Sequence, residues 1–265
     1  MSLRPAEITE LAAFAVDLAA RAGRVTLPYF RTALAVDDKR TGGRFDPVTA
    51  ADREAEQVIR AGVQASYPEH GIFGEEFGHK SGNGLTWVVD PIDGTRAFMT
   101  GMLHWGVLLA LFDGEKPVLG VMHQPFTDET FFGTNDAAYY RHGGQQRSLR
   151  CRPCDNLDAA VLTTTSPRLF ADSERKRFSR LESAVKLTRY GGDCYIYAML
   201  AMGQVDLASD AGLNAYDIQA LMPIIRGAGG VVTTVDGGDP SLGGFVVAAG
   251  SEALHRLALE CMMTA

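Results

Sequence analysis

The stretch Trp87-Val88-Val89-Asp90-Pro91-Ile92-Asp93-Gly94-Thr95 runs an apolar strand up to two carboxylates three residues apart, then breaks into a Gly-Thr turn. Hard divalent cations take oxygen ligands. Mg2+ in particular is held by a few carboxylates together with waters and substrate phosphate, rather than by a closed protein cage. Two acids at one strand end suit such an ion or a pair of them. Upstream, Glu75-Glu76 follows the apolar turn Gly71-Ile72-Phe73-Gly74, and Asp46-Pro-Val-Thr-Ala-Ala-Asp52 adds two more acids. Downstream, Asp217 opens an apolar helical stretch. Gathered in one cleft, these carboxylates would suit two or more Mg2+ ions and in-line displacement at phosphorus. Each also has a plainer reading: a solvated turn after a buried strand for Asp90 and Asp93, an exposed loop for Glu75-Glu76, and a helix N-cap for Asp217.

Outward from this segment the pattern changes near residue 150. Residues 6–33 place Leu11, Phe14, Ala15, Leu18, Ala22 and Val25 at helical spacing, and Pro28 is expected to kink that helix or end it early. The polar, Gly-rich run 37–46 reads as a loop, after which Asp46 or Thr49 caps a second helix reaching about residue 66. Short strands are expected near 70–75 and 85–90. Apolar runs at 105–111, 117–123 and 129–132, with a turn at Asp113-Gly114, have the form of an antiparallel meander. Beyond residue 150, strand-like 159–165, 186–190, 204–209 and 230–234 alternate with helical 172–184, 194–202 and 216–228, the pattern of an α/β layer. The expected organisation is an α+β half, residues 1–150, with an antiparallel sheet and most of the acids, and a mixed α/β half, residues 151–265, carrying Asp217. A cleft at their junction is the natural site.

A hydrophobic content of 46% is expected of an ordinary soluble protein, and a net charge of −7 argues against a broad nucleic-acid-binding surface. No run approaches the length of a membrane span. Residues 1–10 carry acids where a secretory signal needs an apolar stretch, so a cytoplasmic location is expected. Cys151, Cys154, Cys194 and Cys261 are too few and scattered for a disulfide framework, and Cys151-Arg-Pro-Cys154 is a lone pair with no second pair to complete a zinc site. His104 and His123 fall in β segments and His79 and His142 in loops, which offers no catalytic dyad. There is no Gly-x-Ser-x-Gly elbow for a serine hydrolase. Gly227-Ala-Gly-Gly230 follows a helix rather than a strand, so it reads as a tight helix-to-strand passage, not a dinucleotide fingerprint.

In order and spacing, Asp46-Pro-Val-Thr-Ala-Ala-Asp52, Gly74-Glu75-Glu76, Asp90-Pro-Ile-Asp-Gly-Thr95, and Tyr216-Asp217 followed by Gly227-Ala-Gly-Gly230 resemble the inositol monophosphatase family, over roughly residues 39 to 250. The resemblance implies a layered αβαβα sandwich, a phosphomonoesterase using two or three Mg2+ ions, and a homodimer acting on a small-molecule phosphate monoester, with no nucleic-acid or membrane partner. By that resemblance Asp90 bridges two metals, Asp93 joins the second, and the Ile92 carbonyl helps the first. Glu75 and Asp217 complete the pair, and Glu76 lies beside a third-metal region. The catalytic set is Thr95, Asp52 and Glu75, with the Thr95 hydroxyl, backed by Asp52, orienting and deprotonating a metal-activated water. Gly94 and Thr95 open a short helix whose N–H groups suit a phosphate dianion. Lys39 falls near a family lysine.

Substrate identity rests on departures from the family pattern. Arg96-Ala97-Phe98 follows the Gly-Thr pair, and Tyr190-Gly-Gly-Asp-Cys-Tyr195 stands where a Gly-Ser/Thr-Ala-Ala type segment is common. With Tyr216-Asp-Ile-Gln-Ala-Leu221, these look like the branch that dephosphorylates L-histidinol phosphate. Its leaving group carries an ammonium, which Asp193 or Asp210 is placed to pair with, while Arg96 holds phosphate or braces the acids. The alternatives are an inositol-1-phosphate or broad sugar-phosphate phosphatase, and a non-catalytic binding or regulatory protein of the same fold.

Overall fold

The computed structural model of the chain describes residues 3–33, 35–38 and 47–264, so Lys39 and Asp46 lie outside the described residues. The first helix, α1 (Pro5–Thr26), buries Leu11, Ala15, Leu18 and Ala22 along one face. It stops well short of residue 33 because Pro28 has no N–H to offer the Arg24 carbonyl. Strands β1 (Val36–Asp38) and β2 (Pro47–Thr49) pair with each other. Helix α2 (Ala50–Ser66) then starts at Thr49, whose hydroxyl accepts from the Ala51 N–H at 3.2 Å.

An eight-stranded sheet follows. It contains β3 (Gly71–Gly74), β4 (Gly78–Lys80), β5 (Thr86–Asp93), β6 (Gly106–Phe112), β7 (Pro117–Gln124), β8 (Glu129–Thr134), β9 (Ala138–His142) and β10 (Gln145–Ser148), with the short helix α3 (Thr95–Met99) between β5 and β6. Its order is β10-β9-β8-β7-β6-β5-β3-β4, antiparallel except for the parallel β3/β5 pair. The meander expected from residue 105 is present and gains β9 and β10.

The second sheet has five strands in the order β12-β11-β13-β15-β14 and is mixed. In chain order its region holds β11 (Val161–Thr164), α4 (Asp172–Ala184), β12 (Leu187–Tyr190), α5 (Asp193–Ala201), β13 (Leu207–Leu213), α6 (Ala215–Ile218), α7 (Leu221–Gly227), β14 (Val231–Thr234), β15 (Gly244–Ala249) and α8 (Glu252–Met263). The single helix expected over 216–228 is two, because Pro223 cannot donate to the Gln219 carbonyl and its ring crowds it. At the end of α7, a side chain at Gly227 would overlap the Thr134 carbonyl, and Gly229 takes a φ of 86°, which confirms the tight passage into β14.

Alternation along the strands sorts these elements into five layers. Trp87, Val89, Val107, Leu109 and Val121 pack under α1 and α2. Val88, Leu108, Ala110 and Met122 point the other way, into one cluster with Tyr197 and Leu200 of α5, Ile224 of α7, and Ala208, Val246 and Ala248 of the second sheet. The far face of that sheet, Leu162, Leu207 and Val247, meets Phe178 of α4 and Leu254 of α8. The result is the expected αβαβα sandwich. Burial of both sheet faces explains why β5, β6 and β7 read as continuous apolar runs.

Gly120 marks the closest approach between the first sheet and the middle helical layer, since a Cβ there would overlap the Ala220 carbonyl. Gly120→Ala is expected to lower unfolding free energy by about 1–3 kcal/mol, as overpacking typically does. Chemical denaturation checks this, and an unchanged midpoint would contradict so tight a contact.

Candidate active site

Side chains alternate faces along a strand, so residues three apart normally point oppositely. Asp90 and Asp93 do not. Asp90 pairs with Leu108 and Asp93 with Gly106, so three steps on β5 match two on β6 across a bulge at Pro91-Ile92. Pro91 suits the bulge because it has no N–H for the ladder. The extra residue brings both carboxylates to the face that looks at the middle helices. Asp90 is buried, and its Oδ1 accepts from the Ile92 N–H at 3.0 Å. Asp93 Oδ2 accepts from the Cys194 N–H at the start of α5, at 2.6 Å.

Two further acids converge on this point. Glu75 follows β3, and because β3 and β5 are parallel their carboxyl ends lie together; the Glu75 N–H continues the ladder onto Val89 O at 3.2 Å. Asp217 comes from α6, where its Oδ2 caps the helix by accepting from the Asn214 N–H at 2.6 Å. The N-cap read from the sequence at Asp217 falls instead on Asn214, and Asp217, three residues on, closes the capping box from within the cluster. Ligand atoms of Asp90, Asp93 and Asp217 all lie within 4.8 Å of one another.

These acids line a cavity of about 260 Å3, together with Ile92, Gly94, Thr95, Arg96, Asp193 and Asp210. Thr95 begins α3 behind Gly94, which takes a φ of 87°, and its hydroxyl donates to Ile92 O at 3.2 Å. Asp52 is outside the cavity lining. It sits in the first turn of α2, accepting on Oδ2 from the Thr49 N–H at 2.8 Å and hydroxyl at 2.6 Å. Its neighbour Ala51 packs with Ile92 and Phe98, so that turn leans on the segment bearing Thr95. The Glu76 N–H donates to Glu56 Oε2 at 2.7 Å.

Gly191, Gly192 and Asp193 all have positive φ, 83°, 139° and 44°, which turns the chain sharply into α5, and Asp193 lines the cavity beside Gly94. Two of the three are glycines, for which positive φ carries no steric cost. Asp210 follows Ala208 by two on the face of β13 that looks at the middle helices, in register with Val246 and just before a second bulge at Ala211-Gly212. It accepts from the Thr164 hydroxyl, the Thr165 N–H and hydroxyl, and the Tyr197 hydroxyl, at 2.9, 2.7, 3.2 and 3.1 Å. These donors were not legible in the sequence, where Thr164 and Thr165 only end a strand and Tyr197 only extends a helix.

Burial pushes Asp90 well above the usual carboxylate range, and the charges of Glu75, Asp93 and Asp217 push it further. Burial and then Asp217 and Asp193 do the same to Asp93. Asp217 is raised to about 7, chiefly by burial and against the Asn214 N–H. Asp193 is raised to about 7 by burial and the Asp210 charge, with Arg96 opposing. Burial raises Asp210 to about 6 against its donors. An all-oxygen cluster whose members drive each other toward protonation is what a hard divalent cation relieves, so the residues fit such an ion. Cys151 and Cys194 do not compete for a catalytic role, since burial holds the Cys151 thiol up at about 12 and also pushes Cys194 well above the usual thiol range.

A model of the inositol monophosphatase family matches residues 7–263. A chloroplastic bifunctional phosphatase of Arabidopsis thaliana, IMPL2, is 38% identical over 98% of this chain and 77% of its own. A histidinol-phosphatase of Chlorobaculum parvum is 34% identical over 91% of this chain and 92% of its own. Among solved structures, an inositol monophosphatase from Zymomonas mobilis superposes with a TM-score of 0.86 at 38% identity, covering 97% of this chain and 98% of that one.

The raised carboxylates make metal-free stability depend on pH. For Asp217 and Asp193, both at about 7, the favourable contribution is present below the unfolded carboxylate range and is lost as pH rises through about 7. A cation that binds only the ionised cluster must show the opposite trend. Melting temperatures in chelator should fall between pH 5 and 8, and the increase produced by Mg2+ should grow over the same interval. A Mg2+ effect independent of pH would contradict the coupling.

Proposed function

The chain belongs to the inositol monophosphatase family and is a phosphoric monoester hydrolase, and from that premise we propose that it hydrolyses L-histidinol phosphate to L-histidinol and phosphate. Enzymes of this family are metal-dependent. On our reading Glu75, Asp90, the Ile92 carbonyl, Asp93 and Asp217 hold two or three Mg2+ ions. When bound, such ions neutralise phosphate charge and lower the pKa of water. The halves 1–150 and 151–265 then meet at the cavity, the first bringing most of the metal ligands and the second Asp217 and the specificity wall. The same reading has the enzyme working as a homodimer in the cytoplasm. Among the described residues no helix is long and apolar enough to cross a membrane.

The chain's own groups supply the rest. The Thr95 hydroxyl orients the attacking water and passes its proton toward Asp52, with Glu75 steering the same water. The N–H groups around Gly94 and Thr95 hold a phosphate oxygen, and Arg96 stands over the same region. Asp193 carries the observation that favours a cationic leaving group: a carboxylate turned into the cavity by a left-handed backbone, with the Asp210 charge behind it. Asp210 already accepts four hydrogen bonds, so it acts through its charge while Asp193 makes the direct contact. An ammonium there restores full ionisation to both acids. A neutral polyol brings no such charge. The likeness to an inositol monophosphatase keeps inositol-1-phosphate, or a broader set of sugar phosphates, as the second reading.

Turnover of histidinol phosphate and inositol-1-phosphate, measured in parallel with Mg2+, separates the two, and preference for inositol-1-phosphate would overturn the first. Asp193→Asn should cut kcat/KM for histidinol phosphate roughly ten- to hundredfold, the value of about 1.5–3 kcal/mol for a charge-assisted hydrogen bond, and change inositol-1-phosphate turnover far less. Equal losses on both would make Asp193 structural. Thr95→Ala should lower kcat by about 10²- to 10⁴-fold at nearly constant KM. A rise in KM alone would make Thr95 a binding group instead.

A further inference from the structure

Behind the acid cluster lies another carboxylate, Glu56 of α2, fully buried at 0% exposure and taking no part in the cavity. Its Oε2 accepts from the Glu76 N–H at 2.7 Å, and its Oε1 accepts from the Phe77 N–H at 3.2 Å and from Arg60 Nε at 2.7 Å. Arg60 in turn donates to the Gly78 carbonyl and lies 5.8 Å from the Phe77 ring centre. Gly74 makes the approach possible, because a side chain there would overlap the Glu56 carboxylate.

A buried charge is costly to keep, and a well-packed apolar residue often serves stability as well or better. What Glu56 supplies beyond stability is geometry. The β3–β4 turn has Glu75 at its start, and that residue's N–H is bonded to Val89 O on β5 while the next two N–H groups are bonded to Glu56. The backbone of Glu75 is thereby fixed from both sides, by the sheet and by α2. Asp52 begins the same helix one turn earlier, so α2 is common to the proposed proton acceptor and to the support of Glu75.

We infer that Glu56 is a positioning residue for the metal site, holding the Glu76 and Phe77 N–H groups so that the Glu75 carboxylate meets the Asp90 cluster. The inference rests on the reading of Glu75 as a metal ligand. Glu56→Asp keeps the charge opposite Arg60 but is one methylene too short to reach the turn.

Calorimetric titration of Mg2+ into metal-stripped full-length protein, alongside melting temperature, tests this. Glu56→Asp should weaken Mg2+ binding about tenfold or more, the usual cost of losing a group that orients a ligand. The Mg2+ needed for half-maximal turnover should rise in proportion, while KM for the phosphate monoester at saturating Mg2+ stays at the wild-type value. Gly74→Ala, which crowds the same carboxylate from the other side, should show the same loss. A lower melting temperature with Mg2+ affinity within about twofold of wild type in both variants would overturn the inference, leaving Glu56 a structural group. Glu75→Gln distinguishes the two failures. If it weakens Mg2+ binding and Glu56→Asp does not, positioning fails and the metal site stands; if it leaves Mg2+ binding unchanged, the ligand assignment itself fails.

Discussion

Repulsion among the Asp90, Asp93 and Asp217 carboxylates, crowded within 4.8 Å in a largely buried site, is the constraint on which the rest of the structure depends. Apolar burial across five layers supplies the rigidity to hold them there. Two devices do the local work. A bulge in β5 turns a spacing of three into one shared face, and a four-residue helix delivers Asp217 with one carboxylate oxygen already spent on its own N-cap. Neither device relieves the charge. Relief has to come from protons or from cations, and at neutral pH that choice couples metal binding to folding.

The second sheet contributes differently. Its strand β13 and the Gly191-Gly192 turn bring Asp210 and Asp193 to the same cavity as the cluster. The fold thus brings Glu75, Asp90 and Asp93 from the carboxyl ends of β3 and β5, and Asp210 and Asp193 from β13 and the start of α5, to one cavity. The Cys194 N–H on Asp93 joins the start of α5 directly to the end of β5.

Much of this was legible in the residues. The run to Asp90 and Asp93, the Glu75-Glu76 pair and Asp217 all line up along the chain before any contact is known, and the five-layer architecture follows from the family resemblance they carry. Local chemistry also set boundaries correctly, with Pro28 closing α1 and Thr49 capping α2. The gaps have physical causes. Pro223 split a helix whose apolar pattern was continuous. Edge strands such as β10, exposed along its whole length, carry no alternation to read. The donors around Asp210 and the support given by Glu56 depend on contacts between residues 13 to 46 and 20 to 21 positions apart, which no local pattern encodes. Asp52 was placed with Thr95 by resemblance, and the structure sets it in the first turn of α2, bonded to Thr49.

Anomalous diffraction from crystals grown with Mn2+, an ion that shares the oxygen preference of Mg2+, is the most direct test of the carboxylate cluster as the metal centre. The arrangement predicts anomalous peaks within coordination distance of the Asp90, Asp93 and Asp217 carboxylates. Enzyme active under those conditions, yet showing no peak at these carboxylates, would contradict it.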